Sequence, residues 1–176
     1  MIAKKFAVVT GASSGIGREF AILLAHKKHN VILVARSADT LDDLAQVLRL
    51  QGIEAVPIAA DLSNEIQRKK CLETIARYDV DILFNNAGFG DFGDFVHADW
   101  NKLNTLLQLN IVALSDFAHE LGARMVKAGH GRIVNVASTA AFFPGPKMAA
   151  YYASKAYVLS FSQALAHELR PHGVTV

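Results

Sequence analysis

Short apolar runs of strand length, each followed by a segment of helical periodicity, constrain this chain more than any other feature. The runs are Phe6–Thr10, Val31–Ala35, Ala55–Ala59, Val80–Phe84 and Arg132–Ala137. Between them, apolar residues recur every three or four positions. Ile16, Phe20, Leu23 and Leu24 predict a helix over Gly15–Lys28. Leu41, Leu44, Val47 and Leu48 predict one over Thr40–Gln51, capped by Asp39 or Thr40 and stopped by Gly52. Asn64–Tyr78 reads as a polar helix with Ile66, Leu72 and Ile75 inward. Longer helices are predicted over Trp100–Ala128 and from about Met148 to Arg170, the second closed by Pro171 and Gly173. Val174–Val176 opens a sixth strand. Strands that alternate with helices predict βαβ units and a parallel sheet. Strands apolar throughout predict a sheet covered on both faces. The expected fold class is therefore α/β, a doubly wound parallel sheet of strand order 3-2-1-4-5-6 in three α/β/α layers.

A length of 176 residues predicts a single domain over 1–176, and 52% hydrophobic residues suffice for its core. A formal net charge of +2, with no block of Lys and Arg, argues against a nucleic-acid partner. Cys71 stands alone, so no internal disulfide is available and a reducing compartment is expected. The N-terminus runs through Met1–Lys5 into a strand without the apolar region of a signal peptide. No apolar run reaches the roughly 18 residues of a membrane span. These features predict a soluble cytoplasmic protein with no membrane partner. The seven histidines show no ligand spacing with carboxylates or Cys71, so no metal is expected. The chain stops at Val176 inside an apolar run, which predicts a C-terminally truncated product, since a half-made strand leaves sheet groups unpaired.

Between the first run and the first helix lies Thr10-Gly11-Ala12-Ser13-Ser14-Gly15-Ile16-Gly17. Glycines let backbone approach a pyrophosphate, and a helix N-terminus offers free N–H groups and a positive dipole end. The spacing is neither G-x-G-x-x-G nor a P-loop. At the end of the second strand, Ala35 stands where an acid would hold a ribose 2′-hydroxyl, and Arg36 follows. A guanidinium there suits a 2′-phosphate, so NADP is expected in preference to NAD. Asp61-Leu62 follows the third strand, where the carboxylate either accepts from an adenine amino group or caps the next helix. Asn85-Asn86-Ala87-Gly88 follows the fourth, where small residues let backbone pass close to a ribose and nicotinamide.

Ser138 ends the fifth strand, and Tyr151 and Lys155 open the last helix. Four residues apart, Tyr and Lys share one helix face. A cation beside a phenol favours the phenolate, so Tyr151 is a candidate general acid/base. Tyr152 lacks a lysine at +4 and is expected to pack. Asn110, set among Leu107, Leu109, Ile111 and Leu114, is an odd residue for a helix and needs buried partners.

Taken in order, T-G-A-S-S-G-I-G, D-L, N-N-A-G, the Asn of L-N-I-V, the serine after strand five and Y-x-x-x-K resemble the short-chain dehydrogenase/reductase family of single-domain Rossmann type. The resemblance covers essentially the whole chain. It implies an oxidoreductase that transfers hydride between a nicotinamide cofactor and a carbonyl or secondary alcohol. It assigns cofactor binding to Gly11, Ser13, Ser14, Gly15, Ile16, Gly17, Arg36, Asp61, Leu62, Asn86, Ala87 and Gly88. Tyr151 becomes the proton donor and Ser138 the substrate-oxygen partner. Lys155 binds the nicotinamide ribose and lowers the Tyr151 pKa, and Asn110 helps hold a relay water. The resemblance also implies a missing substrate loop and last strand. The alternative is a non-catalytic dinucleotide-binding regulatory protein or an inactive fragment.

The last helix is apolar nearly all round, which predicts burial on more than one side. One side would cover the sheet and the other meet a second subunit, in a homodimer or homotetramer. Phe89, Phe92, Phe95, Phe142, Phe143 and Pro144 suggest an apolar mouth for a small-molecule substrate.

Overall fold

The computed structural model describes residues 4–176; Met1–Ala3, the first residues of the N-terminal stretch read above, lie outside it. Six strands form one parallel sheet: β1 (Lys5–Thr10), β2 (Asn30–Ala35), β3 (Ala55–Ala59), β4 (Asp79–Asn85), β5 (Gly131–Asn135) and β6 (Val174–Thr175). Their order is β3-β2-β1-β4-β5-β6, as the alternation predicts. Helices α1 (Gly15–His26), α2 (Ala38–Arg49), α3 (Glu65–Ile75), α4 (Trp100–Leu107), α5 (Leu114–Ala128) and α6 (Ala149–Leu169) make the crossovers and cover both faces.

Successive strand residues point to opposite faces, and both sets are apolar. Val8, Ile32, Leu83 and Ile133 face a core closed by Ile75, Phe117, Leu121 and Met125 of α3 and α5. Val9, Val31, Leu33 and Phe84 face the other, closed by Ala21, Ala25, Leu41 and Leu48 of α1 and α2. In-register pairs such as Val8 with Ile32 and with Leu83 keep each row on its own side. Truncating a fully buried side chain such as Phe117 would cost about 3–5 kcal/mol.

Three local expectations are corrected. Ser37, not Asp39 or Thr40, occupies the cap of α2, and Asp39 sits in the first turn, where a carboxylate favours the helix dipole. α3 starts at Glu65 because the Asn64 side chain accepts from Gln67 N at 3.1 Å. Arg68, Cys71 and Ile75 face inward, and Ile66, about two and a half turns before Ile75, is 79% exposed on the opposite face. The predicted helix Trp100–Ala128 is interrupted by a π-helical segment over Gln108–Ala113. Its buried positions Leu103, Leu106, Asn110, Ala113, Phe117 and Leu121 keep three-to-four spacing throughout, so sequence periodicity reads straight across it.

Candidate active site

The glycine loop, the ends of β2 and β3 and the loop after β4 meet at the C-terminal edge of the sheet. This is the crevice where strand order reverses. Thr10, almost fully buried, organises it. Its hydroxyl accepts from Asn86 N at 2.9 Å and Ala87 N at 3.0 Å, and the Asn86 amide donates to Thr10 O at 3.0 Å. β1 and the N-N-A-G segment are thus bound to each other. Gly11 and Gly15 adopt φ of +67° and +53°, a region open to glycine at no steric cost. Gly17 is needed for space, since a Cβ there would run into Gly11 O and lie 2.5 Å from Asn86 Nδ2.

These contacts frame a cavity of about 340 Å³. Gly11, Ser13, Ser14, Gly15 and Ile16 line it. Arg36 and Ser37 after β2, Asp61 and Leu62 after β3, and Asn86, Ala87 and Gly88 after β4 add to its lining. Arg36 is exposed. Gly17 lies behind the loop rather than on the cavity. Asp61 does not cap α3, because Asn64 does. Its carboxylate accepts from Ser63 N and Oγ at 3.0 and 2.7 Å, closing a turn that leaves Asp61 on the cavity wall. Buried Arg68 holds the same turn, donating to Leu62 O at 2.9 Å and to Asp116 of α5 at 2.5 Å. The cradle fits a dinucleotide: glycine backbone at a helix N-terminus, one guanidinium, and small residues facing across.

Gly88 joins the cavity to Asn110 and Lys155. A Cβ on it would lie 2.9 Å from Asn110 Oδ1 and 3.7 Å from Lys155 Nζ. The Lys155 ammonium donates to Val136 O at 2.8 Å and lies 6.0 Å from the Tyr151 ring centroid. Burial pulls its pKa below the ordinary lysine value of 10.5. Gly90 lies against the Tyr151 ring, so that a Cβ there would be 3.3 Å from Cδ2. Ser138 caps the short 3₁₀ turn Thr139–Phe142, which packs on α6. Its Oγ accepts from Ala140 N at 3.1 Å, leaving the hydroxyl hydrogen free to donate. Tyr152 packs against Gly145 and the Phe143 ring.

Asn110 is 1% exposed in the π segment. Its Oδ1 accepts from Phe89 N at 3.1 Å, and Nδ2 donates to Phe89 O and Ser154 Oγ, each at 3.0 Å. Both amide hydrogens are committed to protein. Thr10 and Ser154 were not singled out from the sequence. Their signals were polar side chains inside apolar segments, beside Gly11 and Lys155. On α6 only Ser154, Lys155 and Val158 are buried, whereas Ala153, Ala156 and Tyr157 are exposed, so one face is covered within the chain and the other is not. Phe92, Phe95, Phe142 and Phe143 are exposed in the segments that precede α4 and α6. Among the described residues no cluster of His, Cys, Asp or Glu is arranged to hold a metal ion, and no helix is long and apolar enough to cross a membrane.

Fold and cavity together define a doubly wound α/β protein with a glycine-lined cleft whose Gly88 adjoins Lys155 of α6. The chain belongs to the short chain dehydrogenase family, whose profile matches residues 5–176. It is 37% identical over 177 residues to a very-long-chain 3-oxoacyl-CoA reductase of Podospora anserina, covering 97% of this chain and 52% of that protein. A very-long-chain 3-oxoacyl-CoA reductase-A of Danio rerio is 32% identical, with 98% and 56% covered. The chain therefore spans about half the length of the curated relatives it matches. Among solved structures, it is similar to a short-chain dehydrogenase from Sphingobium yanoikuyae in complex with NADPH. There the TM-score is 0.91 at 39% identity, with 97% of this chain and 67% of that one covered. A bulky-bulky ketone specific alcohol dehydrogenase from Comamonas testosteroni gives a TM-score of 0.91 at 39% identity, covering 96% and 69%.

Proposed function

We propose that this chain is the cofactor-binding and proton-transfer part of an NADP-dependent oxidoreductase acting on a carbonyl or secondary alcohol. One observation carries the proposal: the glycine-lined cavity includes Gly88, and Gly88 adjoins Lys155. Gly11, Ser13, Ser14, Gly15 and Ile16 hold the pyrophosphate at the N-terminus of α1, and Gly17 behind them leaves room for Gly11 O. Arg36, with help from Ser13, Ser14 and Ser37, meets the 2′-phosphate. Asp61 and Leu62 flank the adenine, and Asn86, Ala87 and Gly88 flank the ribose and nicotinamide. The nicotinamide, when bound, supplies or accepts the hydride.

Tyr151 gives a proton to the carbonyl oxygen in reduction and removes it in alcohol oxidation. Ser138 donates its free hydrogen to the same oxygen and orients it. Lys155, held by Val136 O, presents its ammonium to the ribose beside Tyr151. Asn110 holds the loop at Phe89 and shapes the helix beside a relay water. The exposed face of α6, where Tyr157 and Phe161 stack at 5.6 Å, meets a second copy in a homodimer or homotetramer. The buried thiol of Cys71 suits the cytoplasm. The NADP-complexed neighbours support the choice of cofactor, and the names of the relatives point to 3-oxoacyl thioesters as the first substrates to try.

The test follows NADPH oxidation with a panel of 3-oxoacyl-CoA thioesters and bulky ketones. Tyr151→Phe should lower turnover about 10²–10⁴-fold and spare cofactor binding. NADPH binding without turnover across the panel would replace the enzyme with a dinucleotide-binding regulator. Failure to bind either nicotinamide cofactor would overturn both. Sedimentation giving only monomer at micromolar concentration would remove the subunit contact.

A further inference from the structure

We infer that Ser154 is a positioning residue, whose hydroxyl locks the π segment bearing Asn110 to the helical turn bearing Tyr151 and Lys155. Its catalytic consequence rests on the oxidoreductase proposed above; the coupling itself stands on hydrogen-bond geometry. Ser154 is 0% exposed. Asn110 Nδ2 donates to its Oγ at 3.0 Å, and that Oγ donates onward to the carbonyl oxygen of Tyr151 at 2.7 Å. An amide can only donate through nitrogen, so each bond in the chain has one direction. The other Asn110 amide hydrogen goes to Phe89 O, and Phe89 N returns to Oδ1. The loop after β4, the π segment and the start of α6 are thus tied through one amide and one hydroxyl.

A second serine on α6 makes the same kind of link away from the reactive groups. Ser162 Oγ accepts from Asn135 Nδ2 at 2.9 Å and donates to Val158 O at 2.7 Å. Both serines dock α6, but only the Ser154 link includes the Tyr151 backbone and the loop carrying Gly90, which lies against the Tyr151 ring. Without the Ser154 hydroxyl, one Asn110 hydrogen is left unpaired in a buried site, and the first turns of α6 are free to rotate relative to that loop. Small misplacements of a proton donor cost rate steeply.

The experiment compares Ser154→Ala, Ser154→Cys and Ser162→Ala in the protein. Ser154→Ala should lower kcat about tenfold with KM for NADPH within twofold, and shift the pH dependence of kcat/KM. Ser154→Cys keeps a weaker donor and acceptor on a somewhat larger atom, and its kcat should fall between those of Ser154→Ala and the wild type. Ser162→Ala should lower the melting temperature and leave kcat and the pH profile unchanged. Amide exchange at Phe89, measured without substrate, should accelerate about tenfold on loss of the Ser154 hydroxyl and not on loss of Ser162. An unchanged Phe89 exchange rate and pH profile would overturn the assignment. So would equal effects from Ser162→Ala, or failure of both Ser154 variants to fold, which would make the role purely structural. A wild-type protein inactive on every carbonyl would count against the proposed reaction, and Phe89 exchange would still decide the coupling.

Discussion

The ammonium of Lys155 donates to the carbonyl oxygen of Val136 at 2.8 Å, so the cation beside Tyr151 is fastened to the chain leaving β5. Val136 N in turn donates to Asn85 O at 3.0 Å. The segment that ends in Ser138 and the helix that carries Tyr151 are therefore set against each other through Lys155. The position has a desolvation cost, and burial lowers the lysine pKa.

Lys155→Met should abolish turnover and retain the fold. Between the lowered pKa and 10.5, the unfolded chain binds more protons at this lysine than the folded one does. Wild-type stability relative to Lys155→Met should therefore rise as pH climbs through that window and be flat below it. Urea midpoints of both proteins from neutral to alkaline pH check the sign.

Arg36→Ala should weaken NADPH binding about 10–100-fold, the worth of a charge-assisted phosphate contact. NADH binding should stay within about threefold, since no 2′-phosphate is present to lose. Fluorescence titration with both cofactors reads the ratio. Equal losses would place Arg36 outside phosphate recognition.

Gly17→Ala places a methyl against Gly11 O and Asn86 Nδ2, and backbone oxygen cannot move aside as a flexible side chain does. A destabilisation of about 1–3 kcal/mol is expected, with at least a tenfold loss in cofactor affinity. Gly52→Ala, in open space at φ of +81°, should cost about 1 kcal/mol or so and spare the cofactor. Thermal melts and cofactor titration on both variants separate the two effects.

The Cys71 thiol is buried, and desolvation pushes its pKa up to about 12. The thiolate is the reactive form, so the native protein should resist alkylation from pH 7 to 9 and react fully only when unfolded. Labelling by iodoacetamide with and without urea, read by mass spectrometry, checks this.

The sheet was legible because strand-length apolar runs and their order leave one economical topology. The cavity was largely legible too. Gly11, Arg36, Asp61 and Asn86 each follow a strand, and a parallel sheet gathers strand C-termini at one edge. What the periodicity missed depends on contacts distant in sequence. The π segment over Gln108–Ala113 keeps helical spacing, and Asn110 faces Phe89 from 21 residues away. Ile66 is a different case: at about 3.6 residues per turn it lies half a turn from buried Ile75, so it falls on the exposed face of α3.

The sequence by itself determined the strand–helix alternation, the glycine loop and the one-turn spacing of Tyr151 and Lys155, since all three are local. Only the tertiary structure decided which polar groups are spent on the fold. Thr10 takes two backbone amides, both Asn110 amide hydrogens are consumed, and Ser154 passes a bond to Tyr151 O. A buried donor must find an acceptor wherever the folded chain supplies one, and that partner is fixed by packing across elements rather than by neighbours in sequence.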